Sequence, residues 1–345
     1  MRILFAASPA IAIPCLELLL CADPDWELVG LLTNPPASRG RHGTPLPSDV
    51  AAALLAHLGG PGDRAAPVRP GHDDGVSPAV LPPVLSPEKL DAAAREAVAA
   101  LKPDLLVSFA FGKIFGPRFM ALFPLGGINI HPSLLPRWRG ATPIPAAILA
   151  GDRETGITLQ TIAPKMDAGD ILEQSRFPLE GTETTAGLSA RVAAEAPALL
   201  ETVLRRYARG EGSGRPQDEA AVTVCPLLSK EDGLIDWSRP AHELGALVRA
   251  CDPWPLAHTH WEGQGLSILA VDLARADAPD LLAVPSDGAP AAPGTVLGVD
   301  KRRGILVQTG EGVLFIRRLQ LAARKALDWQ SFINGTRGFV GSQLG

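Results

Sequence analysis

Short apolar runs that alternate with helical segments constrain the fold of this chain more than any other feature. Arg2–Ala7 and Trp26–Leu32 are apolar runs of strand length, and the apolar segment Ala10–Cys21 between them is long enough for a helix. Leu105–Ala110 repeats the strand pattern further along the chain. Strands that alternate with helices in this way are typical of a parallel sheet. We therefore predict an α/β, Rossmann-like, mainly parallel sheet that binds ligands at the carboxyl ends of its strands.

The rest of this first domain divides into helices and one insertion. Pro87–Leu101 is predicted to be a helix with Ser86 as its N-cap, and Thr184–Tyr207 is predicted to be a long amphipathic helix that closes the domain. Residues 59–85 are rich in Gly, Pro, Asp and Ala, so we predict an inserted flexible loop there. No G-x-G-x-x-G string follows the first strand, so we expect no dinucleotide site.

The pattern changes after the long closing helix. Residues 208–224 contain few apolar side chains and are predicted to be a linker. Beyond them, short strand-like runs beginning with Cys225–Trp237 are separated by Gly and Asp, and Ala241–Ala250 is the one predicted helix. Short strands with frequent turn signals indicate a small β-barrel. We therefore expect a first domain at residues 1–207 and a smaller, barrel-like second domain at residues 225–345.

Composition and charge exclude several classes of protein. The net charge of −5 argues against nucleic-acid binding through the whole surface and leaves local basic patches as the route to such binding. The four cysteines lack CxxC or Cys/His metal spacing, so we expect reduced thiols, a cytoplasmic location and no bound metal. The opening run Arg2–Ala7 is too short for a signal peptide, and no apolar stretch reaches membrane-spanning length, so we expect no contact with a membrane.

An Asn-x-His pattern at the end of a predicted strand is the strongest candidate for chemistry. Asn129 and His131 are two residues apart, so their side chains leave an extended backbone in the same direction. An amide can hold an oxygen that becomes anionic, and an imidazole can move a proton near neutral pH. Asp167, in a loop between two strand-like runs, is the candidate that tunes the imidazole. We predict these three as catalytic residues.

Several long strings resemble a known family. The span Asn129–Leu172 resembles the formyltransferases that use formyl-tetrahydrofolate, and Ser133–Ile144 within it is most similar to the members that act on methionyl-tRNA. Lys230–Ser238, Arg249–Pro255 and Phe332–Gly335 resemble the C-terminal domain of those members, an OB-like barrel. The resemblance therefore implies a formyltransferase domain followed by an OB-like, tRNA-binding β-barrel.

The resemblance also implies a reaction and a set of site residues. A formyl group passes from 10-formyltetrahydrofolate to the α-amino group of initiator methionyl-tRNA, without a metal. Asn129 would donate to the oxyanion, His131 would move a proton, and Asp167 would keep His131 oriented and basic. The implied folate-binding residues are Phe109, Ala110, Phe111, Gly112, Ser133, Leu134, Leu135 and Pro136.

Contacts with tRNA must come from local basic clusters, because the net charge is negative. Arg137 and Arg139 flank Trp138, and each could hold the carboxylates of the folate, stack on an RNA base or brace a tight turn. We favour the tRNA. We also expect the chain to act as a monomer. The predicted tRNA-binding residues are Arg39, Arg41, Arg137, Arg139, Arg302, Arg303, Arg317 and Arg318.

Other functions share part of this pattern. Glycinamide ribonucleotide formyltransferases, sugar-amine formyltransferases and formyl-tetrahydrofolate hydrolases or dehydrogenases use the same Asn, His and Asp. The purine enzyme lacks the C-terminal barrel, and the Arg137-Trp-Arg139 string fits the tRNA enzymes better than the sugar enzymes. A non-catalytic RNA-binding homologue is a further alternative, against which the intact Asn129, His131 and Asp167 argue.

Overall fold

A computed structural model of the chain describes residues 1–38, 43–57, 81–273 and 291–345. The chain divides into two compact units. Unit 1 contains Met1–Pro143, Glu154–Phe177 and Ser189–Cys225, and unit 2 contains Ile144–Arg153, Pro178–Leu188 and Pro226–Gly345. Within the described ranges, no helix has both the length and the hydropathy that a bilayer crossing requires.

Unit 1 is built on a seven-stranded sheet. Its strand order is β10-β9-β7-β6-β1-β2-β5, with β3 paired to β4 and β8 paired to β11 in two small additional sheets. The strands are β1 (Arg2–Ala7), β2 (Glu27–Leu32), β3 (Ala37–Ser38), β4 (Pro45–Leu46), β5 (Val84–Leu85), β6 (Leu105–Phe109), β7 (Gly127–His131), β8 (Arg139–Gly140), β9 (Glu154–Thr161), β10 (Ile171–Pro178) and β11 (Val224–Cys225).

Strands and helices alternate along the first domain, as the sequence predicts. Strands β5, β2, β1, β6 and β7 pair in parallel, whereas β9 runs antiparallel to β7. The mainly parallel α/β sheet predicted from the sequence is thereby confirmed. The helices are α1 (Ile13–Leu20), α2 (Asp49–Ala56), α3 (Ala92–Ala100), α4 (Pro117–Met120), α5 (Pro143–Leu149), α6 (Thr185–Ala208), α7 (Ala241–Ala250) and α8 (Trp329–Gly335).

One face of the sheet in unit 1 packs on a row of phenylalanines. Phe111, Phe115, Phe119 and Phe123 follow one another with ring centroids 5.4 to 5.6 Å apart. They cover Leu106 and other buried side chains of the central strands. Because apolar side chains on both faces of the central strands are buried, the sequence of these strands is apolar without alternation.

Two predictions about this unit are wrong. The helix expected at Pro87–Leu101 begins at Ala92, where the carboxylate of Asp91 accepts a hydrogen bond from Ala94 N and caps the first turn. The residues Val84–Leu85, which the sequence placed inside the flexible insertion, form β5 and pair with β2 at the edge of the sheet. Residues 81–83 of that predicted loop have no regular secondary structure, and residues 59–80 lie outside the described residues.

Unit 2 contains an antiparallel sheet of six strands. Its order is β12-β13-β16-β15-β14, with β17 paired to β16. Helix α7 packs on the sheet, and a core of apolar side chains that includes Trp237, Leu244, Ile305 and Ile316 is buried here. The predicted C-terminal β domain is confirmed, and its strands form an antiparallel sheet; the OB-like barrel form stays a prediction. Its strands are β12 (Ala257–Trp261), β13 (Gln264–Leu273), β14 (Val296–Asp300), β15 (Gly304–Gln308), β16 (Val313–Leu321) and β17 (Leu327–Asp328).

The predicted strand-like run Cys225–Trp237 is wrong. Only Val224–Cys225 is a strand there, and it pairs in parallel with Arg139–Gly140 of unit 1. The next residues turn through a 3-10 helix at Glu231–Gly233. The predicted linker therefore includes a segment that belongs to the sheet structure of unit 1.

The packing of unit 1 predicts the cost of a core substitution. Leu106→Ala should lower the free energy of unfolding by about 2–5 kcal/mol, because it leaves a cavity under a fully buried side chain of β6. Leu55→Ala removes the same atoms from a side chain of α2 that is 47% exposed, so its cost should stay within about 0.5 kcal/mol. Urea denaturation followed by circular dichroism measures both. Equal losses would contradict the packing described.

Candidate active site

The carboxyl end of β7 places two polar side chains in one direction. Asn129 and His131 leave the same face of this strand, as their spacing predicts. The neighbouring strand β9 runs antiparallel to β7, and its register sets Gln160 opposite Asn129. Three polar side chains therefore meet near the carboxyl end of β7.

Asp167 completes this group from the loop between β9 and β10. Its carboxylate accepts three hydrogen bonds: Oδ1 from Asn129 Nδ2 at 3.2 Å and Gln160 Nε2 at 2.9 Å, and Oδ2 from Gly140 N at 2.9 Å. The backbone of Asp167 is left-handed, with φ of 51°. Aspartate tolerates that region better than most residues. The carboxylate, which is only 12% exposed, is thereby held by donors on three sides.

The imidazole of His131 lies between a carbonyl and this carboxylate. Its Nε2 is 2.8 Å from the carbonyl oxygen of Trp138, and a carbonyl can only accept, so Nε2 carries the hydrogen. Nδ1 faces Oδ1 of Asp167 across 3.6 Å. In the neutral ring, Nδ1 therefore has a free lone pair that can accept a proton.

Burial lowers the pKa of His131 from its ordinary value of 6.5, because the charged imidazolium loses hydration in the interior. The negative charge of Asp167 and the hydrogen bond to Trp138 act in the opposite direction and are weaker. The side chain is only 5% exposed, so the desolvation cost prevails. The ring is consequently neutral at neutral pH and ready to accept a proton.

Glycine is required at two positions around the carboxylate. Gly140 has φ of 126°, and a Cβ there would lie 2.1 Å from the carbonyl oxygen of Cys225. A Cβ at Gly169 would lie 1.6 Å from the carbonyl oxygen of Thr161. Both contacts are with backbone that cannot move aside, so a side chain at either position would displace the loop that carries Asp167.

The predicted folate-binding residues divide by exposure. The side chains of Phe109, Phe111 and Ser133 are at most 2% exposed, and the hydroxyl of Ser133 donates to the carbonyl of Arg137. Each of these three side chains packs in the interior or bonds to the turn, and the folate contacts of these residues stay a prediction. Ala110 and Gly112 are exposed, Leu135 is buried, and Leu134 and Pro136 are half-buried.

Arg139 was predicted to contact tRNA, and that contact stays a prediction for a side chain that the structure buries. The residue is 3% exposed. Its Nε donates to Gln217 Oε1 at 3.0 Å and its Nη2 donates to Glu219 Oε1 at 2.6 Å. A guanidinium that is buried and bound to two side chains of its own unit braces the turn, which is the third role considered for it.

The other predicted tRNA-binding arginines differ in their surroundings. Arg137 is half-buried, and its guanidinium stacks on the ring of Trp138 at 4.3 Å. In unit 2, Arg302 and Arg318 are exposed, Arg303 lies over the ring of Phe315 at 4.2 Å, and Arg317 forms an ion pair with Asp272. The predicted residues Arg39 and Arg41 lie outside the described residues.

The sequence interpretation missed two glutamines of the site. Gln160 is 1% exposed and holds both Asp167 and the backbone of Gly169. Its position opposite Asn129 follows from the pairing of β7 with β9, and correct strand pairing would have found it. Gln217 lies in the predicted linker, where a polar segment without periodicity offers no signal of its contacts.

Comparison with known proteins is consistent with this site. The family model described as formyl transferase matches residues 1–204, and the model described as formyl transferase, C-terminal domain, matches residues 227–337. A methionyl-tRNA formyltransferase of Treponema denticola is 46% identical over 340 residues, which cover 99% of this chain and 98% of the relative. The chain belongs to the methionyl-tRNA formyltransferase family.

Further matches support the same family and fold. A methionyl-tRNA formyltransferase of Chloroflexus aurantiacus is 40% identical over 338 residues, 97% of each chain. An N-formyltransferase from Helicobacter canadensis, solved in complex with folinic acid and dTDP-3-aminofucose, covers 94% of this chain and 100% of its own with a TM-score of 0.60. Its sequence is 16% identical, so that likeness shows the formyltransferase fold alone.

The lowered pKa of His131 predicts a component of acid destabilisation in this formyltransferase. The folded pKa lies below the ordinary value of 6.5, so as the pH falls through that value the unfolded chain takes up a proton that the folded chain does not. Stability from this residue is therefore lost as the pH falls. His131→Gln should reduce the loss of unfolding free energy between about pH 7.5 and about pH 5.5.

The measurement is urea denaturation at both pH values, with the same substitution at the exposed His57 as the matched control. A nuclear magnetic resonance titration of the His131 ring gives the pKa directly. A pKa above the ordinary value of 6.5 would show that the charge of Asp167 outweighs burial.

Proposed function

We propose that this chain transfers a formyl group from 10-formyltetrahydrofolate to the α-amino group of initiator methionyl-tRNA. The observation that carries the proposal is the convergence of Asn129, His131 and Asp167. Asp167 Oδ1 lies 3.2 Å from Asn129 Nδ2 and 3.6 Å from His131 Nδ1. The relatives that are 40–46% identical over nearly the whole chain are methionyl-tRNA formyltransferases.

The amide of Asn129 serves the carbonyl oxygen of the formyl group. When the amine attacks the formyl carbon, that oxygen becomes an anion and needs a fixed donor. One hydrogen of Nδ2 is donated to Asp167, which orients the amide and leaves the second hydrogen for the oxyanion. Such a donor contributes about 3–4 kcal/mol to transition-state stabilisation in acyl-transfer enzymes.

His131 and Asp167 together serve the proton of the amine. The attacking amine must lose a proton, and the lone pair of His131 Nδ1 accepts it while Nε2 stays bound to Trp138 O. The imidazolium then formed faces Asp167 Oδ1, whose negative charge stabilises it. The same proton is returned to the leaving nitrogen of the folate when the tetrahedral intermediate collapses.

The folate fits the exposed backbone after β6. Phe109 pairs with Ile130, so Ala110 and Gly112 follow a strand that lies directly beside β7 and its Asn129. Both residues have positive φ, 50° and 81°, and both are exposed, so their backbone amides and carbonyls are open to a ligand. A pterin that hydrogen-bonds to this backbone would hold its formyl group near the amide of Asn129. Leu134 and Pro136 complete the proposed folate site through the half-buried turn.

Recognition of the tRNA is assigned to both proposed domains. Residues 1–207 carry the chemistry, and residues 225–345 supply basic residues for the RNA backbone, of which Arg302 and Arg318 are exposed. Arg137 is the candidate near the site, because a guanidinium stacked on Trp138 presents a planar fork. Arg39 and Arg41 remain part of the proposal.

The reaction itself tests the proposal. Wild-type protein should formylate methionyl-tRNA and leave a UDP-amino sugar and glycinamide ribonucleotide unreacted under the same conditions. Asp167→Asn should lower the single-turnover rate by about 10²–10⁴-fold, because the carboxylate that stabilises the imidazolium is lost. Asp170→Asn changes an exposed carboxylate of the same loop and should retain the wild-type rate. Preference for a sugar amine, or equal rates for both variants, would refute the assignment.

Salt dependence tests the predicted tRNA contacts of unit 2. Arg302→Ala and Arg318→Ala should each raise KM for methionyl-tRNA and reduce the slope of log affinity against log salt by about 1, because one phosphate contact is removed. KM for the folate should not change. Arg118→Ala removes an exposed arginine of α4 and is the matched control. A slope that stays at the wild-type value in both variants would exclude these arginines from the interface.

A further inference from the structure

Residues Arg215–Cys225, here called the clasp, hold the loop that carries Asp167. At one end, the backbone of Arg215 exchanges hydrogen bonds with Ile171, N to O at 2.9 Å and O to N at 2.8 Å. At the other end, Val224–Cys225 pairs with β8, and Arg139 N donates to Thr223 O at 2.9 Å. The clasp is therefore anchored to the sheet structure on both sides of the loop at residues 165–170.

Gln217 is the residue of the clasp that contacts this loop most directly. Its Nε2 donates to the backbone carbonyls of Asp167 at 2.8 Å and Gly169 at 2.7 Å. Its Oε1 accepts from Arg139 Nε at 3.0 Å. Each side of the amide is thus bound, and the amide plane has one orientation that satisfies all of its bonds.

Support for Gln217 comes from a buried cation. Arg139 is 3% exposed and also donates from Nη2 to Glu219 Oε1 at 2.6 Å. Glu219 in turn forms an ion pair with Lys165 at the start of the loop, 3.4 Å away. Because Lys165 and Glu219 are both exposed, that outer pair contributes little, whereas the bond from Arg139 to Gln217 is partly buried.

We propose that Gln217 is a positioning residue that holds the carboxylate of Asp167 against Asn129 and His131. The backbone of Asp167 is left-handed, so its loop stays in this conformation only if other groups hold it. Gln160 holds the loop from the sheet side by accepting from Gly169 N at 3.1 Å. Gln217 holds the loop from the side of the clasp, by donating to the backbone carbonyls of Asp167 and Gly169.

The proposal rests on the proposed function and predicts where the effect should appear. Gln217 contacts the backbone of Asp167 and not its carboxylate, so it acts on the reaction through the position of Asp167. Loss of its donors should therefore lower the rate of the formyl-transfer step and leave the KM values of both substrates unchanged.

The first test uses an isosteric substitution. Gln217→Glu keeps the acceptor for Arg139 but replaces the two donated hydrogens by an oxygen that faces two carbonyls. Gln217→Met removes the donors without adding charge. It therefore provides a second variant in case the new charge of Gln217→Glu affects the rate or prevents folding. Each variant should lower the single-turnover rate by about 10–100-fold, as expected when a reacting group shifts by about 1 Å.

The matched control is a glutamine with similar bonds far from the chemistry in sequence. Gln308 Nε2 donates to the backbone carbonyls of Thr309 at 2.9 Å and Gly312 at 3.3 Å within unit 2. Gln308→Glu should lower thermal stability as Gln217→Glu does and leave the single-turnover rate unchanged. If both variants lose single-turnover rate in proportion to their loss of thermal stability, Gln217 has a structural role only.

A double-mutant cycle separates positioning from general destabilisation. In an Asp167→Asn background, Gln217→Glu should change the residual rate by less than about 2-fold, because the group that Gln217 positions is already lost. An additive loss in the double variant would overturn the proposal. Wild-type turnover with methionyl-tRNA is measured beside these variants, so failure of the proposed function appears in the wild type and failure of this inference appears only in the Gln217 series.

Discussion

The arrangement of the candidate site depends on one buried carboxylate. Asp167 is 12% exposed, and a buried negative charge is tolerated only when donors compensate for the lost water. The amides of Asn129 and Gln160 and the backbone N–H of Gly140 supply that compensation. The donors come from three different strands, β7, β8 and β9, so this set of donors exists only in the folded protein. The same charge faces His131 Nδ1 across 3.6 Å, which is where the proposed mechanism uses it.

The change of strand direction beside β7 brings these donors together. Strand β7 pairs in parallel with β6 on one side and antiparallel with β9 on the other. The parallel side places the exposed backbone at Ala110 and Gly112 beside the end of β7, where open sheets bind ligands. The antiparallel side brings Gln160 opposite Asn129 and leads directly into the loop of Asp167. Strand β7 thus lies between the backbone proposed to bind the folate and the loop of Asp167, which is proposed to tune the proton transfer.

Sequence patterns predicted the strands and helices with strong hydrophobic periodicity. They also predicted the shared direction of side chains that are two residues apart on a strand. The apolar strands β1, β2 and β6, the helix α7 and the shared direction of Asn129 and His131 all follow from spacing. The helix start at Asp91 was missed, because Ser86 and Pro87 offer a competing N-terminal signal in the same segment. The clasp was missed because its contacts are long-range hydrogen bonds of polar side chains, which leave no periodic trace. The burial of Arg139 was missed for the same reason, since its acceptors lie in the clasp.

The position of Arg139 changes the interpretation of the string Arg137-Trp-Arg139. The sequence favours tRNA contacts for this string, which fits the tRNA enzymes better than the sugar enzymes. In the structure, the carbonyl of Trp138 accepts from His131 Nε2 and thereby fixes which ring nitrogen is free. Trp138 has φ of 63°, and the bond from Trp138 N to Thr223 Oγ1 holds that turn to the clasp. Two of the three residues therefore serve the imidazole and the aspartate loop. Of the two arginines in this string, Arg137 is then the one to which the proposed contact with tRNA is assigned, and the other proposed contacts come from basic residues elsewhere in the chain.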